Sequence, residues 1–369
     1  MKICHIISGL NVGGAEIVLS KLLASKISSA CVISLTNIGK IGKDIQSMGY
    51  EVYSLNLTVF NFPIVLFRLV KIIKKYNPTI VQTWLYHADF FGGIAARLAG
   101  VTKIVWGIRT TNLKKGLHST PIIRRLCAYL SYFIPVKIIL VAEAARIEHI
   151  RIGYNADIMK VINNGFTRDN LNMSTSSRNK LREIFSIKKD DLIIGCVGRL
   201  SQIKGQDIFI KATGLVLRRY PKVKFLMVGQ GLTDENKLLV SFIRQHSNQK
   251  NFILGGERSD VIDIYKLMDI FCLPSRGEGF PNVLGEAMIS GIPCISSNVG
   301  DVLKLGGKDV LISKVGDFDD LAQNIIKLLE LSHIQRKNIG KSLQKRIIKD
   351  YSSDKMVSEY KKLYIGLRN

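Results

Sequence analysis

Short apolar runs alternate with longer amphipathic segments along this chain of 369 residues. Apolar runs rich in Val and Ile have the length of buried strands, and in the first half of the chain they cover residues 2–8, 30–36, 50–55, 79–84, 103–108, 137–142 and 160–163. Between them, apolar residues recur at helical spacing in 15–28, 63–76, 88–99 and 120–133. The pattern therefore predicts strands that alternate with helices.

The second half of the chain repeats this alternation, with predicted strands at 192–198, 224–231, 251–256, 270–275, 293–297 and 310–313. Strands that are apolar nearly throughout are typical of parallel sheets with helices on both faces. The polar stretch FTRDNLNMSTSSRNK, residues 166–180, separates the two halves. We therefore predict an α/β fold with two Rossmann-like domains and a boundary near residue 166. Ligands are expected in the cleft between the domains, beyond the carboxyl ends of the strands.

One segment of the second half, PSRGEGFPNVLGEAMISGIP at 274–293, holds two glutamates in a stretch rich in glycine and proline. Pro281 fits the first turn of a helix and Gly291 fits the position after its end. Glu278 then lies in the loop before the helix, and Glu286 lies about one and a half turns along it. A helix N-terminus favours a phosphate. A pyrophosphate bound there would have a sugar on one side and a ribose on the other, so each carboxylate could accept hydrogen bonds from the hydroxyls of one ring: Glu278 from the transferred sugar and Glu286 from the nucleotide ribose.

Three other predicted strand-to-helix turns can also accommodate a phosphate, one of them the glycine-rich MVGQG at 227–231. Gly13 and Gly14 precede a helix predicted to begin near Ala15, and small residues there let backbone N–H groups approach an anion. Arg199 and Lys204, in VGRLSQIKGQD, follow a predicted strand and supply two cations suited to a pyrophosphate. A plain tight turn and a pair of solvated surface charges are the respective alternatives.

The net charge of +24, from 53 Lys and Arg against 29 Asp and Glu, indicates an anionic partner: nucleic acid, a phospholipid membrane or a phosphorylated substrate. No zinc-finger or RNP-type pattern accompanies the charge, which argues against nucleic acid. The six cysteines occur singly and the six histidines lack metal-binding spacing, so we expect buried free thiols, a reducing cytoplasm and no metal site. The acidic run GDFDD at 316–320 precedes a helical pattern and is predicted to cap that helix.

The stretch EGFPNVLGE resembles the E-x7-E element of the family 4 retaining glycosyltransferases, which have the GT-B fold. Seven further stretches appear in that family's order: GLNVGGAE, QTWLYHADFFGG, WGIRTTN, VINNGF, VGRLSQIKG, LGGERSD and NVGD. WLYHAD together with WGIR is similar to the branch that builds bacterial O-antigen and capsular polysaccharide. The resemblance implies an acceptor-binding domain, 1–165, with a C-terminal helix of about 352–369 packed on it, and a donor-binding domain, 166–351, facing it across a cleft.

The resemblance also implies roles for residues in transfer from a nucleotide sugar with retention of anomeric configuration. Glu278 is expected to be catalytic, positioning and stabilising the donor sugar, while Glu286 binds the ribose. Arg199 and Lys204 are expected on the diphosphate, which Gly14 approaches from the N-terminal domain. The full set expected to bind the donor is Gly14, Arg199, Lys204, Gly279, Phe280, Pro281, Asn282, Val283 and Glu286.

On the acceptor side, His87 is expected near the reacting carbon or the acceptor, with a structural histidine as the alternative. Arg109 and Gly13 are expected on the same rim. The implied substrates are a UDP-linked hexose or N-acetylhexosamine, although the residues do not distinguish UDP from GDP, and a lipid-linked saccharide. No cofactor and no catalytic metal are expected.

An anionic membrane surface is a further expected partner, with the protein peripheral on the cytoplasmic face. The first 165 residues carry 20 Lys and Arg against 7 Asp and Glu. Segment 113–133, with Lys114, Lys115, Arg124 and Arg125, is predicted to bind anionic lipid, in a manner that salt weakens. Segment 62–76 is predicted to pack as a surface helix on its own sheet.

Three other functions compete with sugar transfer. An NAD-dependent dehydrogenase also has Rossmann-like domains, but the chain lacks GxGxxG. A nucleotide-sugar epimerase of GT-B fold would hold the same donor and need no acceptor. A non-catalytic basic protein that binds membranes would explain the charge but not the glycine–glutamate element.

Overall fold

The computed structural model describes residues 1–58, 60–111, 119–167 and 174–368. The chain divides into two compact units. The N-terminal unit comprises Met1–Gly165 with Ser353–Asn369, and the C-terminal unit comprises Phe166–Ser352. Each unit contains one parallel sheet with helices between its strands, as the alternating sequence pattern predicts.

In the described part of the N-terminal unit, seven strands form the sheet: β1 (Lys2–Ile7), β2 (Ser29–Ser34), β3 (Glu51–Ser54), β4 (Ile80–Trp84), β5 (Ile104–Ile108), β6 (Lys137–Leu140) and β7 (Met159–Val161). Their order is β3-β2-β1-β4-β5-β6-β7. The connecting helices are α1 (Gly14–Ala24), α2 (Gly39–Ser47), α3 (Phe62–Tyr76), α4 (Tyr86–Leu98), α5 (Ser119–Leu130) and α6 (Glu143–Arg151).

The described part of the C-terminal unit has six strands: β8 (Ile193–Val197), β9 (Lys224–Val228), β10 (Phe252–Leu254), β11 (Ile270–Leu273), β12 (Cys294–Ser297) and β13 (Leu311–Ser313). Their order is β10-β9-β8-β11-β12-β13. The helices are α7 (Thr175–Ile184), α8 (Gln206–Arg219), α9 (Lys237–His246), α10 (Val261–Tyr265), α11 (Asn282–Ile289), α12 (Val302–Gly306), α13 (Phe318–Glu330) and α14 (His333–Asp350). Short 3-10 turns cover Ala156–Ile158, Gln202–Lys204 and Gln249–Asn251.

The last helix, α15 (Ser353–Arg368), belongs to the N-terminal unit. Its buried side chains Met356, Tyr360 and Tyr364 join the core formed by α1 and the central strands. Burying a large aromatic side chain in this way contributes roughly 1.5–3 kcal/mol. The C-terminal unit has a separate core, in which α8 and α13 pack together against β8, β9 and β11.

Helices cover both faces of the N-terminal sheet. Strands β1 to β3 advance in one direction across the sheet and β4 to β7 in the other. Because parallel crossovers are right-handed, α1 and α2 lie on one face and α3 to α6 on the opposite face. On that second face α3 packs beside α4, and α4 packs beside α5.

Two sequence predictions about side chains outside the candidate site are confirmed. All six cysteines are buried and free, and burial raises the pKa of the Cys272 thiol well above its ordinary value, which makes it a poor nucleophile. Asp317 caps α13, where its carboxylate accepts a hydrogen bond of 2.9 Å from the backbone N–H of Asp320. Among the described residues, no group of three or more His, Cys, Asp and Glu side chains is placed to hold a metal ion.

Candidate functional site

The predicted donor residues of the C-terminal unit surround the point where its strand order reverses. Strands β8 and β11 are neighbours, with Ile194 opposite Ile270 and Gly195 opposite Phe271. The chain leaves β8 toward β9 on one side, and it leaves β11 toward β12 on the other. The loops that follow β8 and β11 therefore diverge and leave a crevice at the carboxyl edge, where ligands bind in open α/β sheets.

Glu278 and Lys204 come from these two loops and contact each other. Lys204 Nζ lies 2.7 Å from Glu278 Oε1, and Ser275 Oγ donates to the same oxygen at 2.6 Å. The side chains are only 22% and 10% exposed, respectively. No described residue donates to Glu278 Oε2, so this oxygen keeps its capacity to accept hydrogen bonds from a ligand.

The loop that carries Lys204 is held in place by a glycine and a second ion pair. Gly205 has φ +69°, and a Cβ there would overlap the carbonyl oxygen of Pro274. Only glycine permits both the left-handed conformation and this close approach. Arg276 bonds both carboxylate oxygens of Asp207, at 2.7 and 2.5 Å. The two loops are thereby joined by further contacts beside the Lys204–Glu278 pair.

Glu286 lies on α11, the helix that the sequence predicts after the Glu278 loop. It is half-buried, and Tyr265 donates a hydrogen bond of 3.2 Å to its Oε2. The helix begins at Asn282, so Pro281 is its N-cap rather than a residue of its first turn as predicted. Gly291 follows the helix with φ +77°, as predicted for a C-terminal glycine.

The other predicted donor residues line the start of α11 or the β8 loop. Gly279, Asn282 and Val283 are half-buried, whereas Phe280 and Pro281 are buried. The Phe280 ring stacks on Phe166 with 6.1 Å between centroids, so Phe280 supports the loop from behind rather than presenting its ring to solvent. In contrast to Lys204, Arg199 is exposed, and its guanidinium has no hydrogen-bond or ion-pair partner among the described residues.

The N-terminal unit has a reversal point of the same kind between β1 and β4. Ile7 pairs with Trp84 at the ends of these strands, so the loop holding Gly13 and the turn before His87 begin side by side. Gly13 is the N-cap of α1 and Gly14 is its first residue. The structure thus places both glycines, predicted to approach a phosphate, at a helix N-terminus on the carboxyl edge of the sheet.

His87 follows a strained turn. Leu85, between β4 and α4, has φ +74°, a conformation that costs a leucine roughly 1–3 kcal/mol and is concentrated at functional sites. His87 is half-buried on the first turn of α4, burial lowers the pKa of its imidazole, and no described residue accepts or donates a hydrogen bond to its ring. The ring is therefore neutral near pH 7 and is available to a ligand.

Arg109 is anchored within the N-terminal unit. Its guanidinium hydrogen-bonds Asn164 and, at 3.4 Å, the Tyr360 hydroxyl, and it lies over the Trp84 ring at 5.7 Å. These contacts join the β5 edge to α15. Arg109 lies just after β5, and two of its five N–H donors are used by Asn164 and Tyr360.

Several residues that shape the two reversal points were not predicted from the sequence. In the C-terminal unit, Ser275 and Tyr265 hydrogen-bond the predicted residues Glu278 and Glu286, respectively. Asp207 pairs with Arg276, which was not predicted either, and this pair joins the two loops. In the N-terminal unit, Glu16 lies in the first turn of α1 and interacts with Arg109. The available signal for Glu16 in the sequence is a carboxylate two residues after Gly14, in GGAE.

A buried polar network lies below the turn that carries His87. Thr83 Oγ1 and the backbone N–H of Gly107 both donate to Asp89 Oδ1, at 2.5 and 3.3 Å. Asp89 is fully buried, and burial raises the pKa of its carboxyl to about 8. Beside it, the Tyr86 hydroxyl donates to His149 Nε2 at 2.6 Å, because His149 Nδ1 carries the proton bonded to the Ala145 carbonyl.

The structure describes only two of the four basic residues of segment 113–133 that were predicted to bind lipid, and these two differ in exposure. Lys114 and Lys115 lie outside the described residues. Arg125 is exposed as predicted, but Arg124 is only 9% exposed and points toward Tyr86 and His149, so the prediction that Arg124 contacts lipid is wrong. In the described part of the chain, no helix is long and apolar enough to span a bilayer.

Comparison with known proteins identifies the family. The model of the glycosyltransferase family 4 domain matches residues 19–170, and that of the group 1 glycosyl transferases matches residues 177–346. The capsular polysaccharide biosynthesis glycosyltransferase CapM of Staphylococcus aureus is 26% identical over 335 residues, covering 88% of this chain and 87% of that protein.

Two further comparisons agree with this match. The Escherichia coli UDP-Gal:alpha-D-GlcNAc-diphosphoundecaprenol alpha-1,3-galactosyltransferase is 27% identical over 311 residues, covering 82% of this chain and 79% of that protein. The crystal structure of HepE from Anabaena in complex with UDP superposes with a TM-score of 0.87 at 21% identity, covering 99% of this chain and all of that one. The chain therefore belongs to glycosyltransferase family 4 and has the GT-B fold.

Proposed function

We propose that this glycosyltransferase moves a sugar from a nucleotide sugar to a lipid-linked saccharide during synthesis of a bacterial surface polysaccharide, with retention of anomeric configuration and without a catalytic metal. The proposed donor is a UDP-linked hexose or N-acetylhexosamine. The observation that carries the proposal is the arrangement of Lys204, Glu278 and Glu286 around the start of α11, at the reversal point of the C-terminal sheet.

Each group in this arrangement suits one part of such a donor. Lys204, the exposed Arg199 and the N-terminus of α11 supply positive potential for the diphosphate leaving group. Oε2 of Glu278 accepts hydrogen bonds from hydroxyls of the transferred sugar. Glu286, further along the helix, accepts them from the ribose, with Tyr265 fixing its carboxylate.

The proposed chemistry is a front-face substitution. The bond between the anomeric carbon and the diphosphate oxygen breaks, and the acceptor hydroxyl forms its new bond on the same face. The departing phosphate oxygen takes the proton of that hydroxyl, so Glu278 stabilises the sugar without forming a covalent bond to it. His87 and the rim near Arg109 are proposed to serve the acceptor, because the neutral imidazole is available to a ligand.

Names of similar proteins support the choice of substrates. Structures of HepE from Anabaena hold UDP and UDP-glucose. The E. coli relative is named for transfer from UDP-Gal to a diphosphoundecaprenol-linked sugar, and the S. aureus relative for capsular polysaccharide synthesis. An acceptor of this kind is anchored in a membrane, so we propose that the protein works at the cytoplasmic membrane surface.

A two-step experiment tests the proposal. Thermal unfolding with a panel of UDP- and GDP-sugars should show a raised Tm for the cognate donor. That donor should then yield a glycosylated product with a polyprenyl-diphosphate-linked saccharide, and the product should keep the donor's anomeric configuration. Glu278→Gln should abolish most turnover, whereas Glu330→Gln, at a surface ion pair with Arg219, should not. An epimerised nucleotide sugar formed without acceptor would instead establish the epimerase.

A further inference from the structure

The outer side of α8, in the C-terminal unit, carries a cavity that the proposed sugar transfer does not use. Its volume is about 290 Å³, near the lower limit of roughly 300 Å³ that is usual for small-molecule sites. Six residues from three helices line it, and we call it the α8 cavity: Lys211, Gly214, Leu215 and Arg218 of α8, His246 of α9 and Phe318 of α13. None of them belongs to the set proposed to bind the nucleotide sugar.

The spacing of the lining residues on α8 puts them on one side of the helix. Positions 211, 214, 215 and 218 are three or four residues apart, so their side chains lie along one stripe. The opposite side is buried in the core of the unit and includes Phe209 and Val216. The stripe therefore faces away from the sheet, in the groove between α9 and α13, both of which pack against α8.

Gly214 lets α9 approach the cavity. A Cβ at this position would lie 2.2 Å from the carbonyl oxygen of His246, so the end of α9 is closer to the α8 backbone than any other residue permits. A hydrogen bond of 2.8 Å between the hydroxyls of Thr213 and Ser247 fixes the same contact. Glycine inside a helix costs roughly 0.5–1 kcal/mol relative to alanine. Here it brings the imidazole of His246 to the cavity.

Three of the six lining residues are basic, and no described carboxylate forms an ion pair with them. They are Lys211, Arg218 and His246. Arg219, the next residue of α8, is by contrast paired with Glu330 at 2.7 Å. The aspartates on either side of Phe318 in the chain do not line the cavity, since Asp317 caps α13 and Asp319 is exposed. The α8 cavity therefore has a positive charge that the described part of the protein does not neutralise.

Apolar side chains form the rest of the lining. Phe318 lies beside Lys211, whose Nζ is 5.7 Å from the centroid of the ring. Leu215 continues this apolar wall along α8, and both Phe318 and Leu215 are half-buried. The ring of His246 packs against Phe242, with 4.4 Å between centroids. A few polar groups that converge on an apolar wall are typical of a small-molecule site.

We propose that the α8 cavity binds a small phosphorylated compound that contains one ring. Basic side chains bind phosphate through charge-assisted hydrogen bonds, and Lys211 and Arg218, seven residues apart on α8, can both reach the stretch between them. The ring of the compound lies against Phe318 and Leu215. The volume of the cavity suits one ring with one phosphate rather than a whole nucleotide sugar, so the site is separate from the donor site and independent of the proposed transfer reaction.

Phenyl phosphate is a simple probe that contains both groups. Histidine labelled with ¹³C gives NMR signals from only six residues, and the signal of His246 is the one that disappears in His246→Gln. Phenyl phosphate should shift this signal until the site is saturated. Inorganic phosphate should also shift it but bind more weakly, because it makes no contact with Phe318. Benzyl alcohol, which has a ring and no phosphate, should leave the signal in place.

Calorimetry with phenyl phosphate measures what the lining residues contribute. Arg218→Gln should weaken binding by about tenfold, because a charge-assisted hydrogen bond is lost. Phe318→Leu should reduce the affinity to that of inorganic phosphate. Arg219→Gln is the matched control, since it removes the same charge from the next position of α8 outside the cavity, and it should leave the affinity unchanged. Arg218→Gln should keep the wild-type Tm, because Arg218 is exposed.

A further variant separates the α8 cavity from the donor site, where Lys204 also favours phosphate. Lys204→Gln should still show the full shift of the His246 signal with phenyl phosphate, whether or not the protein transfers sugar. If Lys204→Gln loses binding of phenyl phosphate and Arg218→Gln keeps it, the phosphate occupies only the donor site and the proposal is wrong. A His246 signal that does not move, or that moves equally with benzyl alcohol, would also overturn it.

Discussion

Lys204 and Glu278, which are 74 residues apart in the chain, form an ion pair with 2.7 Å between Nζ and Oε1. The pair joins the loops after two adjacent strands and is largely shielded from solvent. It therefore has two consequences. It holds the loops together in the absence of substrate, and it keeps a cation beside the carboxylate that is proposed to bind the sugar.

Replacing either Lys204 or Glu278 should lower the free energy of unfolding, and the two changes should differ in whether turnover or nucleotide affinity falls more. Glu278→Gln should reduce turnover more than nucleotide affinity, whereas Lys204→Gln should reduce nucleotide affinity because the diphosphate loses a cation. Each single change should lower the free energy of unfolding by about 1–2 kcal/mol, and the double change by less than the sum, since a single change leaves one charge unpaired. Nucleotide Kd, turnover and denaturant unfolding check this; additive losses would show that the pair is not coupled.

Glu286→Ala should weaken nucleotide binding by about 10- to 150-fold, which corresponds to the 1.5–3 kcal/mol of a hydrogen bond to a charged group. Calorimetry with UDP and with 2′,3′-dideoxy-UDP separates the ribose contact from other effects. Wild type should prefer UDP, and the variant should bind the two alike. Tyr265→Phe, which removes only the hydrogen bond to Glu286, should give a smaller loss. A variant that still discriminates against the dideoxy nucleotide would refute the assignment.

Gly205→Ala should destabilise the C-terminal unit by about 2–4 kcal/mol, because the methyl group meets the Pro274 carbonyl in addition to the cost of positive φ. Gly316→Ala is the matched control, since Gly316 also has positive φ, +83°, but open space around its Cβ position. It should cost only about 1 kcal/mol. Equal losses in denaturant unfolding would mean that the Lys204 loop moves easily away from Pro274.

The alternation of strands and helices was predictable from the sequence because it depends on local periodicity. Each of the described strands lies within or overlaps a predicted apolar run, and α11 begins one residue after Pro281 instead of including it. Local pattern also places Lys204 and Glu278 in loops that follow strands, and Glu286 on the helix after the second of these loops. Sequence spacing does not reveal long-range partners, and the contact of Arg109 with Tyr360 spans 251 residues.

The prediction for Arg124 failed for a related physical reason. Basic residues on a surface helix were assumed to point outward, as charge usually does. In α5 the inward face meets the polar cluster of Tyr86 and His149, so Arg124 is buried and the aromatic residues point outward. The composition of the helix is visible in the sequence, but what packs beneath it is decided by α4 and α6.

Activity is expected to survive EDTA, because Lys204, Arg199 and the α11 N-terminus can stabilise the leaving diphosphate without a metal ion. Asp317, the first carboxylate of GDFDD, is already bonded to the backbone of α13. Transfer should be assayed after EDTA treatment and again after adding Mg²⁺ or Mn²⁺. Activity that is lost in EDTA and restored by either metal would overturn the expectation.

Asp89→Asn should change how stability depends on pH. Burial raises the pKa of Asp89 to about 8 from its ordinary 3.8. Between these values the unfolded chain ionises Asp89 while the folded chain keeps it protonated, so this group's contribution to stability is lost as pH rises, by up to about 1.4 kcal/mol per pH unit. Asparagine does not ionise, and its amide oxygen can still accept from Thr83 and Gly107.

The measurement is the difference in unfolding free energy between Asp89→Asn and wild type from pH 5 to pH 9. His5 and His149 also titrate, since burial lowers their pKa values to about 3 and about 4, but both proteins retain them and their effects cancel in the difference. The difference should grow in favour of the variant up to about pH 8 and then level off, because above that pH Asp89 is ionised in both folded and unfolded chains. A difference that stays constant across the range would show that Asp89 does not titrate on unfolding, and that the buried network below His87 is held by an ionised carboxylate.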